Sequence, residues 1–242
     1  MSHLLQKAKN TVSTMFERIA IILKENALSP DSFEMKFVVY RNYNAPEDMI
    51  LQVSPWESKP ENLRSFMESV VADYGWGNEA IEIGLAHVNR ECETEGVSQV
   101  ILIGDAPANT KEEVITRRRD CSFRPRAGST IRQMVGFYSS GEDYWKSTKL
   151  FSKPTYYEEE LLLLRQRGIR VHAFFVNAQA RQNFNEIATV TDGRCEALDI
   201  NSVKGSDLLT DLVSEEVLRD TGGSKGNALV DAYRARFSKT YT

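Results

Sequence analysis

The chain has 242 residues, 41% of them hydrophobic and 26% charged, and a formal net charge of −4. That length allows a sizeable core in one α/β domain or two small ones, and the charge gives the molecule as a whole no pull toward polyanions. No apolar run reaches the roughly 20 residues a membrane-spanning helix needs, and Cys92, Cys121 and Cys195, odd in number and in no metal-binding spacing, point to a reducing, cytoplasmic setting.

Ser2 to about Ala27 reads as one amphipathic helix. Leu5, Ala8, Val12, Met15, Phe16, Ile19, Ile22 and Leu23 recur at three- and four-residue spacing. Ser29 precedes Pro30, which disfavours helical geometry and ends the helix near Leu28. Phe33 to Tyr43 is predicted to be a strand, with Phe33, Met35, Phe37 and Val39 alternating with Glu34 and Lys36 before Val38 and Tyr40 make it apolar on both faces. After a turn at Asn44, Ala45 and Pro46, Asp48 to Trp56 reads as an antiparallel edge strand, because Pro55 falls within it. Pro60 opens a helix reaching to about Tyr74 with Leu63, Phe66, Met67, Val70 and Val71 inward. Gly75, Trp76 and Gly77 then make a tight turn. A helix from Ala80 to about Glu93 follows, which places Glu79 at a helix N-terminus, where a carboxylate interacts favourably with the dipole.

The stretch from Gly96 to Thr110, GVSQVILIGDAPANT, organises the chain. Val100, Ile101, Leu102 and Ile103 form an unbroken apolar run between Gly96 and Gly104, the pattern of a strand buried on both faces. It ends in Asp105 and a Pro-containing loop. In an open parallel sheet, ligands bind beyond the carboxyl ends of the strands, so Asp105 is either a site residue or a cap on the next turn.

Residues 111–156 read poorly as regular structure and hold ten basic residues against five acidic ones, interleaved with Phe123, Phe137, Tyr138, Tyr144 and Trp145. Arg117, Arg118, Arg119, Arg124 and Arg126 are the candidate polyanion contacts, since basic side chains beside aromatics suit phosphate contact and base stacking. The alternative is a solvated insertion with a small satellite core. Beyond it, Tyr156 to Arg167 is predicted as a short helix, Ile169 to Val176 as a buried strand, Ala178 to Thr191 as a helix ended by Asp192-Gly193, and Cys195 to Ile200 as a last strand. Ser206 to Arg219 reads as a helix broken at Gly222 and Gly223, and Ala228 to Phe237 as a final helical segment within a C-terminal extension, 220–242. His3, His87 and His172 have the settings of a solvated terminus, a helix and a core strand. GGSKGN at 222–227 lies between two helices and lacks the preceding strand that a phosphate loop or a nucleophile elbow needs. No catalytic constellation emerges.

Alternating helices and strands predict a doubly wound, mostly parallel sheet with helices on both faces. YRNY at 40–43, YGWGNEAIEIGLAHV at 74–88, ILIGDAP at 101–107, GIRVHAFFV at 168–176 and FNEIATVTDGRCEALD at 184–199 together resemble a von Willebrand factor A domain, a Rossmann-like fold, over nearly the whole of residues 1–242. The resemblance implies a binding module for a protein partner, with a divalent cation such as Mg²⁺ at a metal-ion-dependent adhesion site. By motif position Glu79 and Asp105 are the metal ligands, with Asp73, Asn78 and Asn109 behind them. The family's first strand and its Asp-x-Ser-x-Ser loop have no counterpart here, and the chain opens directly on the helix that follows them. The expectation is therefore a truncated N-terminus, an incomplete metal site and a missing central strand. Nucleic-acid binding through 111–153 is the alternative function.

Overall fold

The computed structural model describes residues 2–73, 75–120, 140–199 and 205–237. In chain order it contains helix α1 (Ser2–Glu25), strand β1 (Val38–Tyr40), the helical turn α2 (Glu47–Ile50), β2 (Leu51–Val53), α3 (Pro60–Ser69), α4 (Ile81–Glu91) and β3 (Gln99–Gly104). Then follow α5 (Lys111–Arg119), α6 (Gly141–Ser147), α7 (Tyr157–Gln166), β4 (Arg170–Phe175), α8 (Arg181–Val190), β5 (Cys195–Ala197), α9 (Gly205–Thr221) and α10 (Gly226–Phe237). The chain divides into two compact units, one built from residues 1–37, 53–72 and 197–242, the other from 38–52 and 73–196.

The first unit is helical. The apolar stripe of α1 packs against α3, α9 and α10, and Val12, Phe16, Leu63 and Met67 form a buried cluster with Phe33, Met35, Phe37 and Phe66 around it. The α1 stripe is the one read from the sequence, and its residues Ile19, Ile22 and Leu23 are almost wholly buried. At its end Ala27 takes a left-handed conformation, φ 58°, while Leu28 N–H donates to the Leu23 carbonyl (2.9 Å) and Ala27 N–H to that of Lys24 (3.2 Å). This is the double hydrogen bond that closes a helix through a left-handed residue, normally glycine. The chain thus leaves helical geometry before Pro30 can force it. Of the strand expected over 33–43, the first half is represented by one antiparallel bridge, Met35 to Glu57. Polar ties run through the same unit: Arg18 holds Asp211 at 3.0 Å, and the Tyr233 hydroxyl donates to Asp211 at 2.5 Å. GGSKGN is a tight hairpin joining α9 to α10. A Cβ on Gly226 would lie 2.0 Å from the Arg219 carbonyl oxygen, and one on Gly222 would lie 2.7 Å from the Gly226 Cα. These glycines are there for close backbone approach.

The second unit holds a three-stranded parallel sheet in the order β3-β4-β5, flanked by helices, and the two-stranded pair β1-β2. β3 and β4 pair in parallel from Gln99↔Arg170 to Gly104↔Phe175. Val171, Ala173, Phe174 and Phe175 are buried, and Leu102, Ile81, Leu85, Phe184 and Ile187 pack with β4 residues in one cluster. A second cluster gathers Tyr43, Ile50, Ile83, Val114, Trp145 and Phe151. Several readings change. The helix from Pro60 ends at Ser69, short of Tyr74, and Val71 beyond it is exposed. Val100, Ile101 and Ile103 are only half-buried, because among the described residues β3 pairs with β4 alone and is an edge strand. The strand expected over 48–56 begins as the turn α2 and becomes extended only at Leu51–Val53. Pro46, extended at φ −71°, precedes that turn, and Glu47 N–H is held by the Tyr144 hydroxyl at 2.8 Å.

The stretch read as irregular carries a helix at each described end. Thr110 and Glu113 make a reciprocal cap on α5, and Ser140 accepts from Asp143 N–H at the start of α6. Both are Ser/Thr followed three residues later by an acid, a start signal present in the sequence. Phe123, Arg124, Arg126, Phe137 and Tyr138 lie outside the described residues, as do Tyr74 and Cys121. Among the described residues no helix is long and apolar enough to cross a membrane.

Candidate functional site

Three connections of the second unit converge at the C-terminal end of β3: the one leaving β1 at Tyr40, the turn 75–79 before α4, and the loop 105–110 after β3. Glu79 is fixed first through its backbone. Its N–H donates to the Pro107 carbonyl (2.7 Å) and its carbonyl accepts from Asn109 N–H (2.9 Å), a one-residue parallel bridge opposite Ala108. Ala108 N–H in turn donates to Asn183 Oδ1 on α8 at 2.9 Å. Glu79 therefore precedes the helix, which starts at Ile81, and is held as a strand residue against the loop that carries Asp105.

The Glu79 carboxyl lies within hydrogen-bonding reach of the Asp105 carboxyl, and the Tyr40 hydroxyl donates to Glu79 Oε2 at 3.3 Å. Gly104 makes this convergence possible, since a Cβ there would lie 2.9 Å from Phe184 Cζ and 3.2 Å from Glu79 Oε2. Burial first, then the neighbouring Asp105, push the Glu79 pKa up to about 8. Burial and the same carboxylates hold the Tyr40 hydroxyl well above its ordinary value. The neighbouring carboxylate disfavours the ionised form of Glu79, and a cation placed beside it would relieve that repulsion. Gln179 Nε2 donates to the Asp105 carbonyl at 3.0 Å.

Behind the pair sits a third carboxyl that the sequence reading missed. Glu82, on the first turn of α4, has no exposed surface. Its Oε1 accepts from Asn109 Nδ2 at 3.0 Å. Its Oε2 faces the Tyr43 hydroxyl without a well-formed hydrogen bond. Desolvation dominates and raises its pKa to about 8, against the opposing pull of Asn109, Tyr43 and Arg117.

Asn78 and Asn109 both belong to the cluster. Asn78 Nδ2 donates to Glu113 Oε2 at 2.9 Å, and Asn109 reaches Asn42 Oδ1 at 3.3 Å as well as Glu82. Asp73 is exposed on the segment before the turn. Of the candidate polyanion contacts, Arg117 and Arg118 turn inward. Arg118 is 1% exposed, pairs with Glu142 at 3.1 Å and donates to the Phe151 carbonyl at 2.9 Å. Arg119 is exposed and paired with Asp120 at 2.8 Å. His172 is buried and accepts from Arg194 N–H at 3.2 Å, a structural role.

As a metal site, this arrangement offers two carboxylates and a phenol. Among the described residues no group of three or more His, Cys, Asp or Glu is placed to hold an ion. Mg²⁺ keeps several waters and takes one or two carboxylates from the protein, so the Glu79 and Asp105 pair fits a weak, water-rich site. Comparison with protein-family models and with curated proteins finds no match for this chain. Its class is therefore the one its own architecture defines: an α/β chain with a small parallel sheet flanked by helices.

Proposed function

We propose that the chain is a non-catalytic binding module of the von Willebrand factor A kind, engaging a protein partner through the face that carries Glu79 and Asp105. The supporting observation is that these two residues, distant in sequence, meet at the C-terminal end of β3, where open α/β sheets bind their ligands. In this reading the two sheets of the second unit are parts of one doubly wound sheet whose central strand is missing, and the adhesion site is degenerate. Glu79 and Asp105 would hold Mg²⁺ weakly, and the ion would supply a Lewis-acidic point for a partner's oxygen. Tyr40 would orient the Glu79 carboxyl, and Gly104 would leave room for both.

Two measurements test this. Calorimetric titration of Mg²⁺ should show weak binding in the wild-type chain and none in Asp105→Asn. A cross-linked partner species should be retained by the wild type and by Leu163→Ala, a change of an exposed side chain on α7, and lost by Glu79→Gln/Asp105→Asn. Equal retention by the double variant would refute the assignment of the face, and Mg²⁺ binding that survives Asp105→Asn would refute the assignment of the ligand.

A further inference from the structure

Arg117 had the sequence signature of a surface cation, yet its side chain is only 10% exposed and both terminal nitrogens of its guanidinium are engaged. One terminal nitrogen donates to the Asn78 carbonyl and to Asn109 Oδ1, both at 2.6 Å. The other donates to Glu113 Oε1 at 3.0 Å. The ring of Trp76 lies against the guanidinium, 5.2 Å from its carbon to the ring centroid. The tight turn is shaped for this approach: Gly77 has φ +64°, and a Cβ there would already stand 3.4 Å from the Arg117 nitrogen.

The partners of Arg117 span the whole site. Asn78 and Trp76 belong to the turn before Glu79, Asn109 to the loop after Asp105, and Asn109 and Asn78 both reach back to Asn42 after β1. Asn42 Nδ2 donates to the Asn78 carbonyl at 2.5 Å, and Glu113 Oε2 closes the circuit by accepting from Thr110 N–H and Asn78 Nδ2. A planar fork with several fixed donors suits such a multi-acceptor junction, whereas a lysine ammonium does not reproduce its geometry. Arg117 also supplies the positive charge that pulls against desolvation at the buried Glu82.

We propose that Arg117 is the positioning residue of this face: an internal guanidinium fastens the three loops so that the Glu79 and Asp105 backbones hold their places whether or not a divalent cation is bound. The proposal rests on reading Glu79 and Asp105 as the binding face. It gives the arginine the loop-organising part, leaving any ion only the part of meeting the partner.

Hydrogen exchange on the full chain tests it, because the amides of Glu79 and Asn109 are the two that bridge turn to loop. In the wild type their protection should be the same in excess Mg²⁺ and in EDTA. In Arg117→Ala these two amides should exchange roughly tenfold or more faster, while Val171 and Ala173 in β4 keep wild-type protection. Arg117→Lys should recover only part of it, and the Trp76 contribution to fluorescence should shift in both variants. Should Arg117→Ala fail to fold, Arg117→Gln, which is shorter than arginine but keeps the aliphatic stem and one donor group, carries the same expectation. Wild-type amides that open in EDTA, variant amides that stay protected, or uniform loosening that includes β4 would each overturn the proposal. Loss of Mg²⁺ binding in the separate Asp105→Asn titration bears only on the cation, so the two readings fail independently.

Discussion

Replacing Glu82 by Gln should remove a pH-dependent cost from the fold. Glu82 is fully buried and its pKa is raised from 4.5 to about 8, with desolvation as the leading cause. Between these values the unfolded chain releases the proton and the folded chain retains it, so the unfolded state is favoured progressively as pH rises. The stability is fully present below about pH 4.5, declines through the window and is lost above about pH 8. At about 1.4 kcal/mol per pH unit the whole window amounts to at most about 5 kcal/mol. Glutamine keeps the shape, can accept from Asn109 Nδ2, presents an amide to the Tyr43 hydroxyl and never ionises. Denaturant unfolding from pH 4.5 to 9 should therefore give nearly equal stabilities for the two proteins at the acid end. At pH 8.5 the variant should be the more stable by a few kcal/mol. A residual slope remains from Glu79, whose pKa is also raised to about 8. An equal slope in both proteins, or a Glu82→Gln variant less stable by a constant amount at every pH, would show that Glu82 does not carry this pH dependence.

Further expectations concern the backbone. Ala27→Gly should stabilise the first unit by about 0.5–1 kcal/mol, because the left-handed position after α1 suits glycine and penalises a Cβ; thermal or chemical unfolding reads it directly. Gly193→Ala should destabilise by more than about 3 kcal/mol or prevent folding, since its Cβ would stand 2.1 Å from the Val171 carbonyl oxygen near the start of β4. Expression yield and melting temperature check this, and a variant as stable as the wild type would show that the contact gives way.

Much of the fold was legible because periodicity reports burial directly. On α1 the stripe from Val12 to Leu23, in β4 Val171 and Ala173 to Phe175, and on α8 Phe184, Ile187 and Ala188 are buried as their spacing implies, while Leu5 and Ala8 at the start of the α1 stripe are half-buried. Capping was legible in part. The Asp192-Gly193 stop ends α8, although the residue with positive φ is Asp192, at 55°, and Gly193 serves the close approach to β4. The caps at Thr110 and Ser140 carried an equally plain signal, and the basic composition of the surrounding stretch obscured it. At the site, Asp105 stood out because it ends an unbroken apolar run, whereas Glu79 was named by motif position in the resemblance. Glu82 could not be named, since a glutamate on the first turn of a helix is usually a solvated dipole partner, and only the tertiary packing over α4 shows that it is buried. Arg117 was misleading for the converse reason: within an arginine triplet nothing local says which side chain turns inward. The triplet separates by helical phase, Arg117 and Arg118 inward and Arg119 outward.

The parallel register of β3 with β4 has a kinetic consequence. Gln99 sits beside Arg170 and Gly104 beside Phe175, so the first contact between these strands closes a loop of roughly 70 residues, costing about 2 kcal/mol more in chain entropy than a ten-residue loop. β4 can pair with the nearby β5 first, but β3 gains nothing by pairing until that closure is made. Local structures such as the α9-α10 hairpin and the capped helices form on a much shorter timescale. The second unit should therefore commit late and rate-limit folding, and β3 waits as an apolar strand without a neighbour during that interval. An edge of this kind is where a folding chain is most exposed to pairing with another copy of itself, so refolding yield should fall with protein concentration more steeply than native stability alone would suggest.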